Sequence, residues 1–576
     1  MKAMNATDRP GALRRYGPLV AVLAAIAAVA ALVIGAAPPG GDRAAAGGST
    51  GARGTTGVAG AEQLPKDVMP FFVAKAAGTV GDYDWGKRCD VTTGKLALPL
   101  SPAPDCFAVF TGDNGGATST GVTKDAIKVV VYTPQDNDAV LSFIYRQIGS
   151  TDTPDKTFAT YRSFNEILAT YYETYGRRVE LVQYKATGAT TDAVAAATDA
   201  ETIARDIGPF AVIGGPSLST AFADTLAANQ VLCMSCTPSG DNEFYAKRAP
   251  YVWGITANSD ENAIMVSQYV ANRLAGGKAT HGGDAVKSQA RKFGYIYVSA
   301  TPEAEQGRRH FEELLAQQGV AFTDVASYKD PLSLAGQARE ILARMKDRGV
   351  TTVLFTGDPL APQTLTQAAT EQEYFPEWVL AGTALVDTTI FGRTYDQAQW
   401  AHAFGPTGLF ARVSPKVAGA GYLHQWFWGR PPEAQQAALI LPSLQLLYGA
   451  LQGVGPDVTA QHFEDRLFAS PVIEGNVLAP QISWGDHGFW PFTDRNGIDD
   501  QTEVWWDPTA TGPDELGNQG TGMWAYANGG QRFLPGKWPK SPPAVFGDDP
   551  DPVTLYTQLP EGITLPDYAP LPPAKK

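Results

Sequence analysis

Ser217, Ser219 and Thr220 follow Gly214, Gly215 and Pro216, and a second small polar run, Thr237-Pro238-Ser239-Gly240, closes the next apolar stretch. These residue types bind more readily than they react. Glycines let a ligand approach the backbone, and hydroxyls with free N–H groups at a helix start favour an anion such as a carboxylate. The same hydroxyls read as ordinary helix caps account for the pattern equally well. Beside the second run, Cys233-Met234-Ser235-Cys236 has the spacing of a thiol oxidoreductase. Redox chemistry of that kind needs the first cysteine at a helix amino terminus, where its pKa falls. Here both cysteines end a strand, with Pro238 close behind, which favours a structural disulfide or two buried thiols. The run Asp494-Arg495-Asn496-Gly497-Ile498-Asp499-Asp500 is faintly like a calcium loop. Without the EF-hand register it reads better as an Asx-rich turn. The six histidines, among them His281, His310, His402 and His487, show no metal-ligand spacing. No Ser/His/Asp arrangement, phosphate loop or usefully spaced carboxylate pair stands out. The expectation is therefore a non-enzyme with no cofactor and no metal.

The polar runs sit where the chain alternates between short apolar segments and helical ones. Phe210–Ile213 and Val231–Met234 read as strands, with a helix from Ser217 to Leu226 between them. Upstream come a strand at Ile127–Tyr132, a long helical pattern to about Arg177, a strand at Val179–Tyr184 and a helix at Asp192–Ile207. Strand and helix alternating over short loops means a parallel, doubly wound sheet, whose loops gather at the carboxyl edge. After Tyr251–Gly254 and the helix Asp260–Leu274 the same alternation starts again. Its strands are Lys292–Val298, Phe322–Tyr328, Val350–Thr356 and Trp378–Ala381. The fold class is α/β, with two lobes facing one another across a cleft. Gly276 to Arg291 reads as a surface excursion. Ala437–Leu451 is apolar enough to be core, kinked at Pro442.

At 576 residues, 44% hydrophobic and 18% charged, the chain is long enough for two or more folded domains. A net charge of −14 argues against nucleic acid as the main partner. Lys2, Arg9, Arg14 and Arg15 precede an uncharged apolar run from Leu19 to Ala37, the pattern of an uncleaved membrane anchor or a long signal core. Either way the rest is exported, and an oxidising compartment makes Cys89 and Cys106 a disulfide that closes a small loop. Pro38 to Gly60 has the composition of a flexible tether. At the other end, Asn476 to Lys576 reads as a loop-rich, β-rich addition with a disordered Pro-rich tail. There Trp484, Trp490, Trp505, Trp506 and Trp524 make a small core or, less simply, a carbohydrate or partner surface.

Taken together, Gly121 to Pro134, Ile213 to Thr220, Val231 to Gly240, Pro250-Tyr251-Val252-Trp253-Gly254 with Asp260-Glu261-Asn262, Val353 to Gly357 and Phe375 to Trp378 carry a likeness. In order and spacing they resemble the type I periplasmic solute-binding proteins, the branched-chain amino-acid receptor family of ABC transporters. The resemblance runs from about Gly121 to Phe468 and implies two α/β lobes joined by three crossovers, with a small ligand trapped as they close. It places Ser217, with Ser219 and Thr220, where the first lobe donates to a ligand carboxylate, and Thr237 and Ser239 in the second contact loop. The second lobe departs from the family pattern. Gln306 stands where a tyrosine precedes the glycine, and Thr383-Ala384 follow Gly382 where an acidic residue is expected. A cationic ligand group would then have to find Asp358, Asp136 or Asp138.

The domains expected are an anchor over 1–37, a linker over 38–62 and a disulfide-stapled extension over 63–120. Residues 121–255 with 384–468 make lobe 1, 256–383 with 469–545 make lobe 2 and its β-rich extension, and 546–576 the tail. The hinge is expected near Thr256, Gly382 and Ser470. Such a chain captures a small polar solute, an amino acid, amide or similar metabolite, outside the cytoplasm and hands it to an ABC permease. The alternative is a membrane-anchored sensory or structural protein that kept the two lobes and lost transport.

Overall fold

The computed structural model describes residues 64–574 apart from 217–218, 237–239, 300–301, 330 and 383–384, and apart from the side chains at 140, 302–303 and 331–333. The expected anchor and linker lie outside the described residues. The first ordered stretch is an extension in which strand β1 (Cys89–Asp90) pairs antiparallel with β2 (Lys95–Leu96). The disulfide Cys89–Cys106 closes this loop. Phe71, Trp85, Leu96 and Leu98 share one buried cluster with the lobe that follows, so the extension borrows its core from there.

That lobe is a five-stranded sheet in the order β4–β3–β5–β6–β7, every pair parallel. Its strands are β3 (Ala126–Thr133), β4 (Arg178–Lys185), β5 (Ala211–Ile213), β6 (Leu232–Met234) and β7 (Val252–Trp253). Val129, Val130 and Val131 of β3 are all fully buried, as expected for a strand covered by helices on both faces. The helix Ala437–Val454 packs Ile440, Leu444, Leu447 and Leu451 into this core and carries Pro442 inside it. Among the described residues it alone is long and apolar enough to cross a membrane, yet 72% of it is buried inside the protein.

The second unit repeats the plan. Its strands β8 (Phe293–Val298), β9 (Phe322–Tyr328), β10 (Thr352–Thr356), β11 (Glu377–Leu380) and β12 (Ala403–Thr407) stand in the order β9–β8–β10–β11–β12, again all parallel. In chain order within each unit that is second, first, third, fourth, fifth both times. After β13 (Ile482–Gly485) and β14 (Asp494–Ile498), which form a hairpin of their own, β15 (Gln501–Pro513) joins β12 antiparallel. On β15 are laid β16 (Gln519–Tyr526) and β17 (Arg532–Phe533). The C-terminal strands thus widen the second sheet. Trp506 and Trp524 enter one buried cluster of this unit, Trp490 and Trp505 another, while Trp484 joins the first lobe. All five are buried, so the tryptophans form neither a surface nor a separate small core.

Three expectations change. First, residues 384–468 do not all belong to the first lobe, because β12 hydrogen-bonds to β11 and only the helices from Gly419 onward return. Second, Gly382 is not a hinge: it follows β11 inside the second unit, and the chain crosses at 254–258, 408–418 and 469–500. Backbone pairing decides this, since a fifth parallel strand could not leave the sheet without exposing its ladder. Third, the tail is ordered: Tyr556 pairs with Arg412 and Ser414, and Tyr568 with Trp426 and Asp90.

Candidate functional site

Each parallel sheet ends in a recess at its carboxyl edge. In the first lobe the recess is lined by Tyr132, Pro134, Leu141, Ala186, Thr190, Gly215 and Pro216, supplied by the loops after β3, β4 and β5. Gly215 is required there. A Cβ on it would lie 2.1 Å from the carbonyl oxygen of Cys236, so the loops after β5 and β6 touch backbone to backbone. The disulfide Cys233–Cys236 closes the second of these loops, with the two Cα atoms 5.6 Å apart. Between them Ser235 takes a left-handed φ of 51°, and its hydroxyl is buried with no hydrogen-bond partner among the described residues. The C-x-x-C spacing drew attention to the sulfurs, and nothing in the sequence marked Ser235 as a donor held at this edge.

Ser217, Thr237 and Ser239 lie outside the described residues. Ser219 is buried, and its Oγ accepts from the Ala221 N–H at 3.2 Å, at the start of the helix Ala221–Ala228. This contact uses the hydroxyl oxygen as an acceptor at the helix start. Thr220 occupies the N-cap position and makes no cap hydrogen bond with its side chain.

The second unit's recess is lined by Ser259, Asn262, Ala263, Val266, Tyr295, Gly307, Phe311, Thr356, Ala381 and Gly382. The helix Ser259–Tyr269 begins here on a full capping box: Asn258 Oδ1 accepts from Glu261 N–H and Glu261 Oε2 from Asn258 N–H. Gln306 is half-buried on the helix Pro302–Gln317, next to the recess-lining Gly307.

Asp358 does not open onto the recess. It is fully buried, with Oδ2 accepting from the Tyr328 hydroxyl at 2.7 Å. Oδ1 accepts from the N–H groups of Leu360 and Ala361 at 2.9 and 3.0 Å. Burial raises its pKa against the pull of these donors. The residue holds the turn into the helix Ala361–Glu371. Asp138 is likewise buried, accepting from Thr190 N–H and Oγ1 at 2.7 Å each. Asp136 is exposed and pairs with Lys185 at 3.1 Å. None of the three lines either recess.

The crossings meet in a buried polar knot. Gly254 on the first crossing faces Asn496 on the third, where a Cβ would come within 2.2 Å of Asn496 Oδ1. Glu261 and Asp494 lie together there, both without access to solvent. Desolvation holds the Glu261 carboxyl well above the usual carboxylate range and pushes Asp494 up to about 6. The carboxylates of Asp499 and Asp500 are taken by Ser483, Gln481 and Trp490 and by Arg532. The run that looked faintly like a calcium loop is instead strand β14 and the turn into β15. At the far side Phe143, Ile144 and Ile148, just beyond the first recess, pack against the second unit's buried cluster. That recess therefore lies on the side of the first lobe turned toward the second.

No protein-family model matches this sequence, and no curated protein matches it either. Solved structures do resemble it in shape. A leucine-, isoleucine-, valine-, threonine- and alanine-binding protein from Brucella ovis, in a closed conformation, aligns at 13% identity and a TM-score of 0.49. It covers 72% of this chain and 98% of its own. The branched-chain amino acid transporter substrate-binding protein of Streptococcus pneumoniae, in complex with isoleucine, aligns at 14% identity and a TM-score of 0.45, covering 70% and 100%. A fatty acid ABC transporter substrate-binding protein from Thermomonospora curvata aligns at 13% identity and a TM-score of 0.45, covering 74% and 96%.

Proposed function

We propose that this chain is a non-catalytic, extracytoplasmic solute-binding protein, tethered by its N-terminal segment, that holds a small organic ligand between its two units for an ABC permease. The observation that carries this reading is the repeated sheet plan with a recess at each carboxyl edge, where open α/β sheets bind ligands. The three crossings give the hinge about which such units close, and ligand contacts favour the closed state by their differential affinity. The lining also narrows the ligand. Among the described residues neither recess is lined by a charged side chain, and Asp358 and Asp138 are committed to internal donors. An α-ammonium group meets no described carboxylate there, whereas Tyr132, Leu141, Val266, Tyr295 and Phe311 offer an apolar bed. Ser217, Thr237 and Ser239 are the donors proposed for a carboxylate, with Thr220 and Gln306 at the margin; Ser219 and Asp358 are proposed to shape the loops.

The test is a thermal-shift screen of matched pairs: small aliphatic and aromatic carboxylates, their amides, and their α-amino counterparts. The expected result is stabilisation by acids or amides exceeding that by the amino acids. Tighter binding of the amino acids overturns the ligand assignment. No response to any class favours the sensory or structural alternative.

A further inference from the structure

Residues 549–574 start on the second unit and finish on the first. Asp549 accepts from the Trp505 indole, and Val553 exchanges two backbone hydrogen bonds with Tyr526. Tyr556 then lies along the crossing at 408–418, donating its N–H to Arg412 and accepting from Ser414 N–H. Leu559 and Ile563 pack on the second unit's buried cluster. From Tyr568 onward the described partners outside the segment itself are in the first lobe or its extension. The Tyr568 carbonyl accepts from the Trp426 indole at 2.7 Å, and its hydroxyl donates to Asp90 Oδ2 at 2.8 Å. The Leu571 N–H donates to the Tyr171 hydroxyl at 2.9 Å, while its side chain packs on the first lobe's cluster. Ala574 N–H reaches Thr170 Oγ1 at 3.2 Å.

We propose that this segment is a strap that fixes the angle between the two units, so that separating them requires the end of the chain to leave the first lobe. Its composition suits the task. Pro560, Pro566, Pro570, Pro572 and Pro573 pin φ, and turns closed by Ile563 N–H to Pro560 and Tyr568 N–H to Pro566 fix the path between them, so docking it sacrifices little chain entropy. Only residues 564–567 separate the last anchor on the second unit, Ile563, from the first anchor on the other, Tyr568. Five extended residue steps span at most about 17–18 Å. The strap also runs beside the second crossing, so a bend there must shear the bonds between Tyr556, Arg412 and Ser414. The consequence for ligand exchange rests on the solute-binding reading; the effect on the interunit angle does not.

The experiment measures the angle with no solute present. Spin labels are placed through Val194→Cys and Arg339→Cys, exposed positions on the first and second units, in a chain whose four native cysteines are paired as disulfides. Pulsed dipolar distances are compared between the full chain and one ending at Ile563. The expected result is a distribution that broadens and shifts when the strap is removed. Superimposable distributions overturn the proposal. Should the shortened chain not fold, Leu571→Asp in the full chain undocks the end without removing it, and the same shift or its absence decides. A shift combined with no solute binding in any screen leaves the strap standing and removes the ligand reading; the reverse outcome does the opposite.

Discussion

Asp499 gives the sharpest test of how the crossings between the two units are built. Its carboxylate accepts from Ser483 Oγ at 2.8 Å and from Gln481 Nε2 and Trp490 Nε1 at 3.1 Å each. Desolvation, opposed by these donors and reinforced by nearby Asp494, pushes its pKa up to about 7. An acid whose folded pKa exceeds its unfolded value keeps a proton in the native state that the unfolded chain releases. Its contribution is therefore greatest at low pH and is lost as pH rises from 3.8 through about 7. One proton corresponds to about 1.36 kcal/mol per pH unit, and over that window to at most about 4 kcal/mol. The perturbation is Asp499→Asn and the assay is urea unfolding followed by tryptophan fluorescence between about pH 4 and pH 8. The variant should be less stable at low pH, because one amide N–H group meets a donor, by about 1–3 kcal/mol. It should also lose stability less steeply as pH rises. Part of the slope should remain, because Asp494, Asp387 and Asp241 are each pushed up to about 6. Parallel curves for the two chains, or stability rising with pH across this window, would refute the account.

Arg291→Ala should destabilise the second unit by roughly 3–5 kcal/mol in the same unfolding assay. It removes the buried partner of Glu377, bonded at 2.8 and 2.9 Å, which ties the excursion over 276–291 to β11. Gly215→Ala should part the two loops at the first recess at a stability cost of about 1–3 kcal/mol and abolish the thermal shift given by any bound solute. An unchanged ligand response in a folded variant removes that recess from the site. Asp358→Ala should cost about 1–3 kcal/mol for each buried donor left unmet, Tyr328 hydroxyl and two N–H groups, without altering the preference between a carboxylate and its amino counterpart. A changed preference in the thermal-shift screen would place Asp358 in the ligand site after all.

Most strands and helices of both sheets were legible in the residue pattern alone. Runs such as Val129-Val130-Val131 and Phe293 to Val298, punctuated by glycine and capped helices, can satisfy their apolar surface and backbone only as buried parallel strands. The pairing of Cys89 with Cys106 was legible for a similar reason, since a segment with little core of its own needs a staple. Partnership across long separations was not legible. Asp358 could be a ligand partner or a helix-start cap, and only Tyr328, thirty residues earlier in the chain, shows that it is buried. The strand at Ala403–Thr407 carries Gly405 and Pro406 and advertises no β pattern; the ladder with β11 and β15 makes it one. The tail had the composition of disorder, yet Trp426, Asp90 and Tyr171 give it partners that no local window contains. Local propensity is written within a few residues, whereas burial and hydrogen-bond satisfaction are settled only when distant segments meet, and at this protein's recesses, crossings and C-terminal segment the second effect decides.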